Sequence, residues 1–367
     1  MRKWFHKKLA KALCVCMTAT LLVGCGSGAT QGGKNDVLFQ YAGQDVTLEE
    51  AWLYLKTMQS QYESYYGDSI WENKVTDEDG KETTLAEVTK KDTIKQIKMV
   101  KYMSSEAEKL KLTLTEEEKA DIAMNAESFI ESVSKEDLEQ TGMTKEIVEK
   151  VFTENALASK FHDDLVKKAD ITISDKESRQ YKTYNLLFET FEYDEQGQKK
   201  EFDAKKKAKQ KAKAETALAR IKKGEKDLAK LAEEYKADKS SEYTFGDDGT
   251  TAPEYAKAAM KLKKGEVSGI VESEFGYHII KMIDPDDKEA GEQKKQELRQ
   301  QKENEFFMKK YEELTKPLEE KWNFEKDVNQ ELYKKLTFKK AEPASTESTT
   351  EEKSEEASTE SATETKK

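Results

Sequence analysis

The sequence predicts an α+β protein: a mostly helical domain, built from both ends of the chain, with a smaller α+β domain inserted into it. Apolar residues recur every three or four positions before residue 180 and after residue 287, which indicates helices at both ends. Between them, strand-like runs at 183–193 and 267–282 enclose helical stretches. A chain of 367 residues is long enough for two such domains.

Residues 1–24 have the composition of a signal peptide. Five basic residues precede or border an apolar stretch at 13–23, which is too short to cross a membrane as a helix. The stretch ends in Leu22-Val23-Gly24-Cys25, which resembles the lipobox of bacterial lipoproteins. The resemblance implies cleavage before Cys25 and diacylation of its thiol, and two acyl chains anchor a protein stably to a membrane. The alternative is an ordinary secretory signal with Cys25 near the cleavage point by coincidence.

The charge balance argues against nucleic-acid binding. The chain carries 63 basic and 74 acidic residues, a net charge of −11, and loss of the five signal-peptide cations would make it −16. The lysine-rich run at 205–213 indicates a solvated helix surface rather than a basic patch with aromatics. Cys14 and Cys16 lie in the segment to be removed, so we expect no disulfide. His162 and His278 are far apart with no cysteine cluster, so we expect neither a metal site nor a cofactor.

The N-terminal helical region is predicted at 37–180, after a flexible glycine-rich tether at 25–36. A short strand is expected at 37–41. Helices should begin where Ser or Thr precedes Glu by three residues, in the pattern of a capping box: at Thr47, Thr115 and Ser174.

The inserted domain is predicted at 181–286 as strand, helix, helix, loop, helix, strand, strand. Its helices should span 204–222 and 226–235 and begin again at Pro253. Residues 240–249, with their serines and glycines, indicate a polar loop. The last two strands should meet at a turn near residue 275.

Helices return at 287–340 and complete the helical domain, although Pro317 should interrupt the first of them. The remaining residues, 341–367, are almost all Ser, Thr, Glu, Ala and Lys. They include no large apolar side chain, so we predict a disordered tail.

The inserted domain resembles the parvulin-type peptidyl-prolyl isomerases. The resemblance rests on residues 184–188, 224–235, 253–258 and 262–268, and on Phe275-Gly276-Tyr277-His278-Ile279-Ile280-Lys281. Together with the lipobox and the flanking helices, these residues resemble more specifically the PrsA-like foldase lipoproteins of Gram-positive bacteria. The helical region of those proteins is a SurA-like chaperone domain. The resemblance implies a foldase on the outer face of the cell membrane, held by Cys25, whose partners are unfolded or partly folded exported polypeptides.

The resemblance also implies a site. Its catalytic network would consist of His278, Asp238, Ser273 and Asn185, and its substrate-binding surface of Tyr255, Thr251 and Phe275. The chain departs from the family pattern at three of these positions. Asn185 stands where a first histidine is expected, Thr251 where a methionine is, and Tyr255 where a phenylalanine is.

Two functions therefore stay open. In the first, the protein is a membrane-anchored peptidyl-prolyl isomerase that assists exported proteins. In the second, it is a non-catalytic holdase chaperone with a degenerate parvulin domain, as the changes at Asn185 and Thr251 suggest. A solute-binding lipoprotein is less well supported, because strands and helices do not alternate along the chain. Oligomeric state is open, with a homodimer as one option.

Overall fold

The computed structural model describes residues 36–237 and 239–338. Cys25, Asp238, the signal peptide and the tail beyond 338 lie outside these ranges, so the predictions for them stay predictions. The helices of the described part are α1 Leu48–Tyr66, α2 Leu85–Lys109, α3 Glu116–Ser132, α4 Lys135–Thr141, α5 Lys145–Lys167, α6 Asp175–Ser178, α7 Ala204–Lys222, α8 Leu228–Tyr235, α9 Pro253–Ala259, α10 Lys288–Glu319, α11 Phe324–Asp327 and α12 Gln330–Lys335, with a 3₁₀ turn at Asp68–Glu72. The strands are β1 Val37–Tyr41, β2 Gln44–Thr47, β3 Lys74–Thr76, β4 Glu82–Thr84, β5 Gln180–Glu189, β6 Phe191–Tyr193, β7 Lys199–Glu201, β8 Ser241–Gly246, β9 Val267–Ser273 and β10 Gly276–Asp284.

These elements confirm the predicted α+β class, since long helices surround small antiparallel sheets. The described residues divide into two compact units. Unit 1 contains residues 36–163 and 315–338, and unit 2 contains residues 164–314. The narrower domain boundaries expected from the sequence, at 181 and 286, stay predictions.

Unit 1 is centred on helices α1 and α2. Each begins at a threonine whose hydroxyl oxygen accepts a hydrogen bond from a backbone N–H three residues later, as at Thr47 and Thr84. Both helices bury the face that the spacing of their apolar residues predicts, and each is also buried all round over one stretch, 50–55 in α1 and 100–104 in α2. The largest fully buried apolar side chains of these two helices are Leu53, Tyr54, Leu55, Ile94, Ile97 and Met103.

The last described residues, 315–338, complete the core of unit 1. The ring of Phe338 stacks on that of Trp71, with centroids 3.7 Å apart and planes within 9°. The side-chain amide of Gln59, in α1, donates a 2.7 Å hydrogen bond to the Phe338 carbonyl. The C-terminal segment therefore packs directly on the first helix of the unit.

A buried ionic cluster joins α1, α2 and α5 inside unit 1. Lys101 is only 1% exposed, and its amine lies 2.7 Å from the carboxylate of Glu154 and 2.9 Å from that of Glu50. Lys150 bonds Glu50 from the other side. Because Glu50 points into this cluster, its carboxylate does not complete the capping box with Thr47 that the sequence indicated. A buried charge is tolerated only with such partners.

Unit 2 is organised around a four-stranded antiparallel sheet with strand order β8-β5-β10-β9. Helices α7 and α8 cover one face, where they bury Leu186 and Phe188 of β5 together with Tyr277 and Ile279 of β10. Helix α9 covers the other face around Ile280. Successive strand residues point to opposite faces, so the alternate residues of β5 and β10 belong to the α9 side.

Two local predictions were wrong, and one hairpin was missed. Residues 241–246 form edge strand β8 rather than a polar loop, since pairing with β5 satisfies their backbone groups despite their polar side chains. Pro317 lies inside α10, which continues to Glu319, because a proline close to a helix end disturbs few hydrogen bonds. The hairpin β6–β7 between 191 and 201 was not anticipated.

Replacing Lys101 by Met should strongly destabilise unit 1, because Glu50 and Glu154 would remain buried without the amine between them. We expect the free energy of unfolding to fall by about 3–5 kcal/mol. Trp52, Trp71 and Trp322 all lie in unit 1, so tryptophan fluorescence during urea unfolding measures its stability. Lys119→Met, which breaks an exposed pair with Glu116, should leave the free energy of unfolding nearly unchanged, because solvent screens exposed pairs. Equal effects of the two variants would contradict the role given to the cluster.

Gly276→Ala should disrupt the pairing of β5 with β10. Gly276 has φ +135°, and a Cβ there would lie 2.2 Å from the Phe188 carbonyl oxygen. We expect the free energy of opening β5 and β10 to fall by about 1–3 kcal/mol. Amide hydrogen exchange in these two strands measures it. Gly269→Ala is the matched control in neighbouring β9, because its new Cβ would meet nothing within 4 Å. Similar exchange rates in both variants would refute the close approach as a constraint.

Candidate active site

The site lies on the α9 face of the sheet in unit 2. In the β5–β10 ladder, His278 stands opposite Leu187, and Ile280 stands opposite Asn185. Residues opposite each other, and those two apart on one strand, share a face. His278 and Asn185 therefore point to the same side, and their side chains meet.

A chain of hydrogen bonds runs through His278. Its Nδ1 lies 3.0 Å from Asn185 Oδ1, and its Nε2 lies 2.7 Å from Ser273 Oγ. Ser273 Oγ also accepts a 3.1 Å bond from the backbone N–H of Phe275. Since an amide oxygen only accepts, the imidazole carries its proton on Nδ1 and donates it to Asn185. Nε2 then accepts from the Ser273 hydroxyl, and every bond of the chain has one donor and one acceptor.

His278 is held in its neutral form. The side chain is 3% exposed, and this burial lowers its pKa from 6.5 to about 4. The ring therefore carries no charge near neutral pH. It acts as a fixed dipole between Ser273 and Asn185 rather than as a titrating acid or base.

An aromatic cluster covers the imidazole. The rings of Tyr255, from α9, and His278 meet edge to face with centroids 5.2 Å apart. Thr183 Oγ1 donates to the Tyr243 carbonyl at 3.0 Å, so the Tyr255 hydroxyl, 2.9 Å away, donates to Thr183. Burial raises the pKa of Tyr255 to about 12. Thr251 Oγ1 lies 2.9 Å from the Tyr243 hydroxyl, and this hydrogen bond connects Thr251 to the cluster.

The structure thus brings together His278, Ser273, Asn185 and Tyr255. Thr251 is connected to them indirectly, through its hydrogen bond with Tyr243. The Phe275 ring is 40% exposed and lies beside Phe191, while its backbone N–H joins the hydrogen-bonded chain. Asp238 lies outside the described residues. The roles given to these residues stay predictions.

Sequence reasoning missed Thr183 and Tyr243. Thr183 lies two residues before Asn185 on the same strand, so the period of two could have placed it on the site's face. Tyr243 carried no usable signal, because its segment was expected to be a loop. Only the pairing of β8 with β5 brings it to Thr183.

Within residues 36–237 and 239–338, no three His, Cys, Asp or Glu side chains are grouped so that they could hold a metal ion. Nor does this part of the chain contain a helix with the length and apolar character needed to cross a membrane.

Comparison with known proteins identifies the domain around this site. Residues 191–284 match the family described as "Rotamase: PPIC-type PPIASE domain". This match includes His278, Ser273, Tyr255, Thr251 and Phe275, and it begins after Asn185.

Over a longer part of its sequence, this chain is similar to foldase proteins. The foldase protein PrsA of Caldanaerobacter subterraneus subsp. tengcongensis is 27% identical over 322 residues, which cover 85% of this chain and 94% of the relative. PrsA of Geobacillus kaustophilus is 42% identical over 90 residues, 23% of this chain and 32% of the relative. The crystal structure of Bacillus cereus PrsA superposes with a TM-score of 0.32 and 22% identity, covering 71% of this chain and 99% of the other.

The resemblance inferred from sequence is confirmed: the chain carries a PPIC-type, parvulin-like peptidyl-prolyl isomerase domain within a protein similar to the PrsA foldases.

Proposed function

We propose that this protein is a peptidyl-prolyl cis–trans isomerase that assists the folding of exported polypeptides from the outer face of the membrane. Its similarity to PrsA proteins and its PPIase domain support a foldase or chaperone role. The observation that carries the catalytic part is the hydrogen-bonded chain Ser273–His278–Asn185 under Tyr255.

The reaction makes no covalent bond, so the protein need supply only binding and polar groups. Rotation about an Xaa-Pro bond meets a barrier of roughly 18–20 kcal/mol, because the planar amide loses its resonance in the twisted state. The twisted amide nitrogen regains a lone pair that can accept a hydrogen bond. A fixed donor near that nitrogen therefore stabilises the twisted amide more than the planar one.

Asn185 supplies such a donor. Its Oδ1 accepts from His278, so its Nδ2 amide group is turned away from the imidazole and keeps its own hydrogens for another partner. Asn185 is partly exposed, whereas His278 is buried. In this mechanism Asn185 contacts the substrate amide, and His278 is a positioning residue that fixes the orientation of the Asn185 amide.

The proline ring needs an apolar surface beside that donor. Tyr243 is 39% exposed and packs edge to face against Tyr255, with ring centroids 5.8 Å apart. Tyr255 stands where the resemblance implies a phenylalanine, and Tyr243, whose hydroxyl contacts Thr251, adds a second ring. The Tyr255 hydroxyl already bonds Thr183, so the cluster offers the ring carbon rather than unpaired polar atoms.

Asn185→Leu should slow isomerisation about tenfold, the effect of losing one hydrogen bond in the transition state. The measurement is the cis-to-trans relaxation rate of a proline-containing peptide. The wild-type rate should not change between pH 6 and 8, because the pKa of His278 lies at about 4. His162→Leu, which alters the histidine of α5 in unit 1, should leave the rate unchanged.

The same assay separates isomerase from holdase. If the wild-type chain is no faster than buffer but still prevents aggregation of a secreted client, the protein is a chaperone without isomerase activity. If the wild-type protein is active and Asn185→Leu isomerises the peptide at the same rate, Asn185 is not the donor and the mechanism is wrong.

We also propose that Cys25 anchors the protein. The support is the signal-like composition of residues 1–24 and their lipobox-like end. Cys25→Ser should move the protein from the membrane fraction of a Gram-positive host into the medium, and labelled palmitate should no longer be incorporated. Unchanged fractionation of Cys25→Ser would contradict lipid attachment.

A further inference from the structure

Tyr243 carries the accessible ring of the aromatic cluster over His278. It is 39% exposed, whereas Tyr255 and Phe245, the two rings that pack against it, are 2% and 3% exposed. A ligand on this face of the sheet therefore meets the ring of Tyr243 first. Tyr243 belongs to β8, an edge strand that pairs only with β5, so its ring has a fixed position only if further contacts hold it.

Thr183 holds the main chain of Tyr243. The two residues stand opposite each other in the β5–β8 ladder, and Thr183 is fully buried. Its hydroxyl donates a 3.0 Å hydrogen bond to the Tyr243 carbonyl and accepts a 2.9 Å bond from the Tyr255 hydroxyl. One buried hydroxyl therefore connects the backbone of Tyr243 to the ring that packs against it.

Thr251 holds the other end of Tyr243. Its Oγ1 lies 2.9 Å from the Tyr243 hydroxyl, and at 9% exposed it offers little surface to a ligand. Thr251 lies just before α9, and Tyr255 lies in the first turn of that helix. Helix α9 has seven residues and no side-chain cap at its start, so its position depends on contacts with the sheet. Through Tyr243, the two threonines connect β5, β8 and the start of α9.

We propose that Thr183 and Thr251 are positioning residues, whose hydroxyls fix the Tyr243 ring as the surface that receives the client's proline ring; the proposal rests on the isomerase function proposed above. A side chain held at its carbonyl, its hydroxyl and its ring loses little freedom when a ligand binds, which lowers the ordering cost of binding. Thr251 thus acts through Tyr243 rather than by touching the substrate. Loss of either hydroxyl should weaken binding and leave the twisting step at Asn185 unchanged, which raises KM without lowering kcat.

The test removes each partner of one hydrogen bond in turn. Thr251→Val and Tyr243→Phe should each raise KM for a proline-containing peptide about fivefold, the effect of one hydrogen bond, with kcat within about twofold of wild type. The double variant should be no worse than either single one, because both changes remove the same bond. Thr183→Val should raise KM at least as much, and Thr183→Ser, which keeps the hydroxyl, should restore the wild-type KM.

Thr244→Val is the matched control. Thr244 is the neighbour of Tyr243 in β8, but it is exposed and points to the other face of the sheet, so KM should not change. If Thr183→Val does not fold, Thr251→Val and Tyr243→Phe decide the question, because they leave both hydrogen bonds of Thr183 intact. Unchanged KM in these two variants, or a fall in kcat without a rise in KM, would overturn the proposal.

Binding separates this proposal from the isomerase function. If the wild-type protein isomerises no peptide, N-acetyl-Ala-Pro-amide is titrated into it and the ring NMR signals of Tyr243 are followed. Shifts that need about fivefold more peptide in Thr251→Val than in wild type would support the positioning role without catalysis. Absence of shifts at Tyr243 in the wild-type protein, or equal affinity in the two proteins, would overturn it.

Discussion

The antiparallel pairing of β5 with β10 is the constraint on which unit 2 depends. Gly276 lets β10 begin in contact with the Phe188 carbonyl, and from that point the register sets which side chains share a face. Tyr277 and Ile279 then belong to the core under α7 and α8, while His278 meets Asn185 on the other face. A slip of one residue would exchange the two sets and place a buried imidazole among apolar helices without partners.

Asn185, which stands where the resemblance implies a histidine, leaves the hydrogen-bonded chain through His278 intact. Two imidazoles in one buried network would compete for protons, whereas an amide has one acceptor oxygen and two fixed donor hydrogens. With Asn185, each member of the chain from Phe275 N–H through Ser273 and His278 has a defined partner. In the mechanism that we propose, this network fixes the orientation of the Asn185 amide instead of supplying an acid or a base.

The sequence was sufficient for features with strong local causes. Helix starts with a full capping box, at Thr115 and Ser174, were predicted, as was the strand pair around Gly276. Edge strand β8 was missed because its side chains are polar and only its partner, β5, identifies it. For the same reason Tyr243 could not be assigned to the site, and the ionic cluster around Lys101 was invisible because lysine spacing on a helix ordinarily indicates a solvated surface.

The contact between Phe338 and Trp71 has a consequence for biogenesis. Gln59 and Phe338 are 279 residues apart in sequence, and unit 1 lacks part of its core until the second of them is present. Unit 2 needs only residues from a single continuous stretch. Because a chain emerges from the ribosome or a translocation channel N-terminus first, unit 2 can fold during emergence while the two parts of unit 1 wait to meet. The first helices of unit 1 therefore remain without part of their core over most of synthesis.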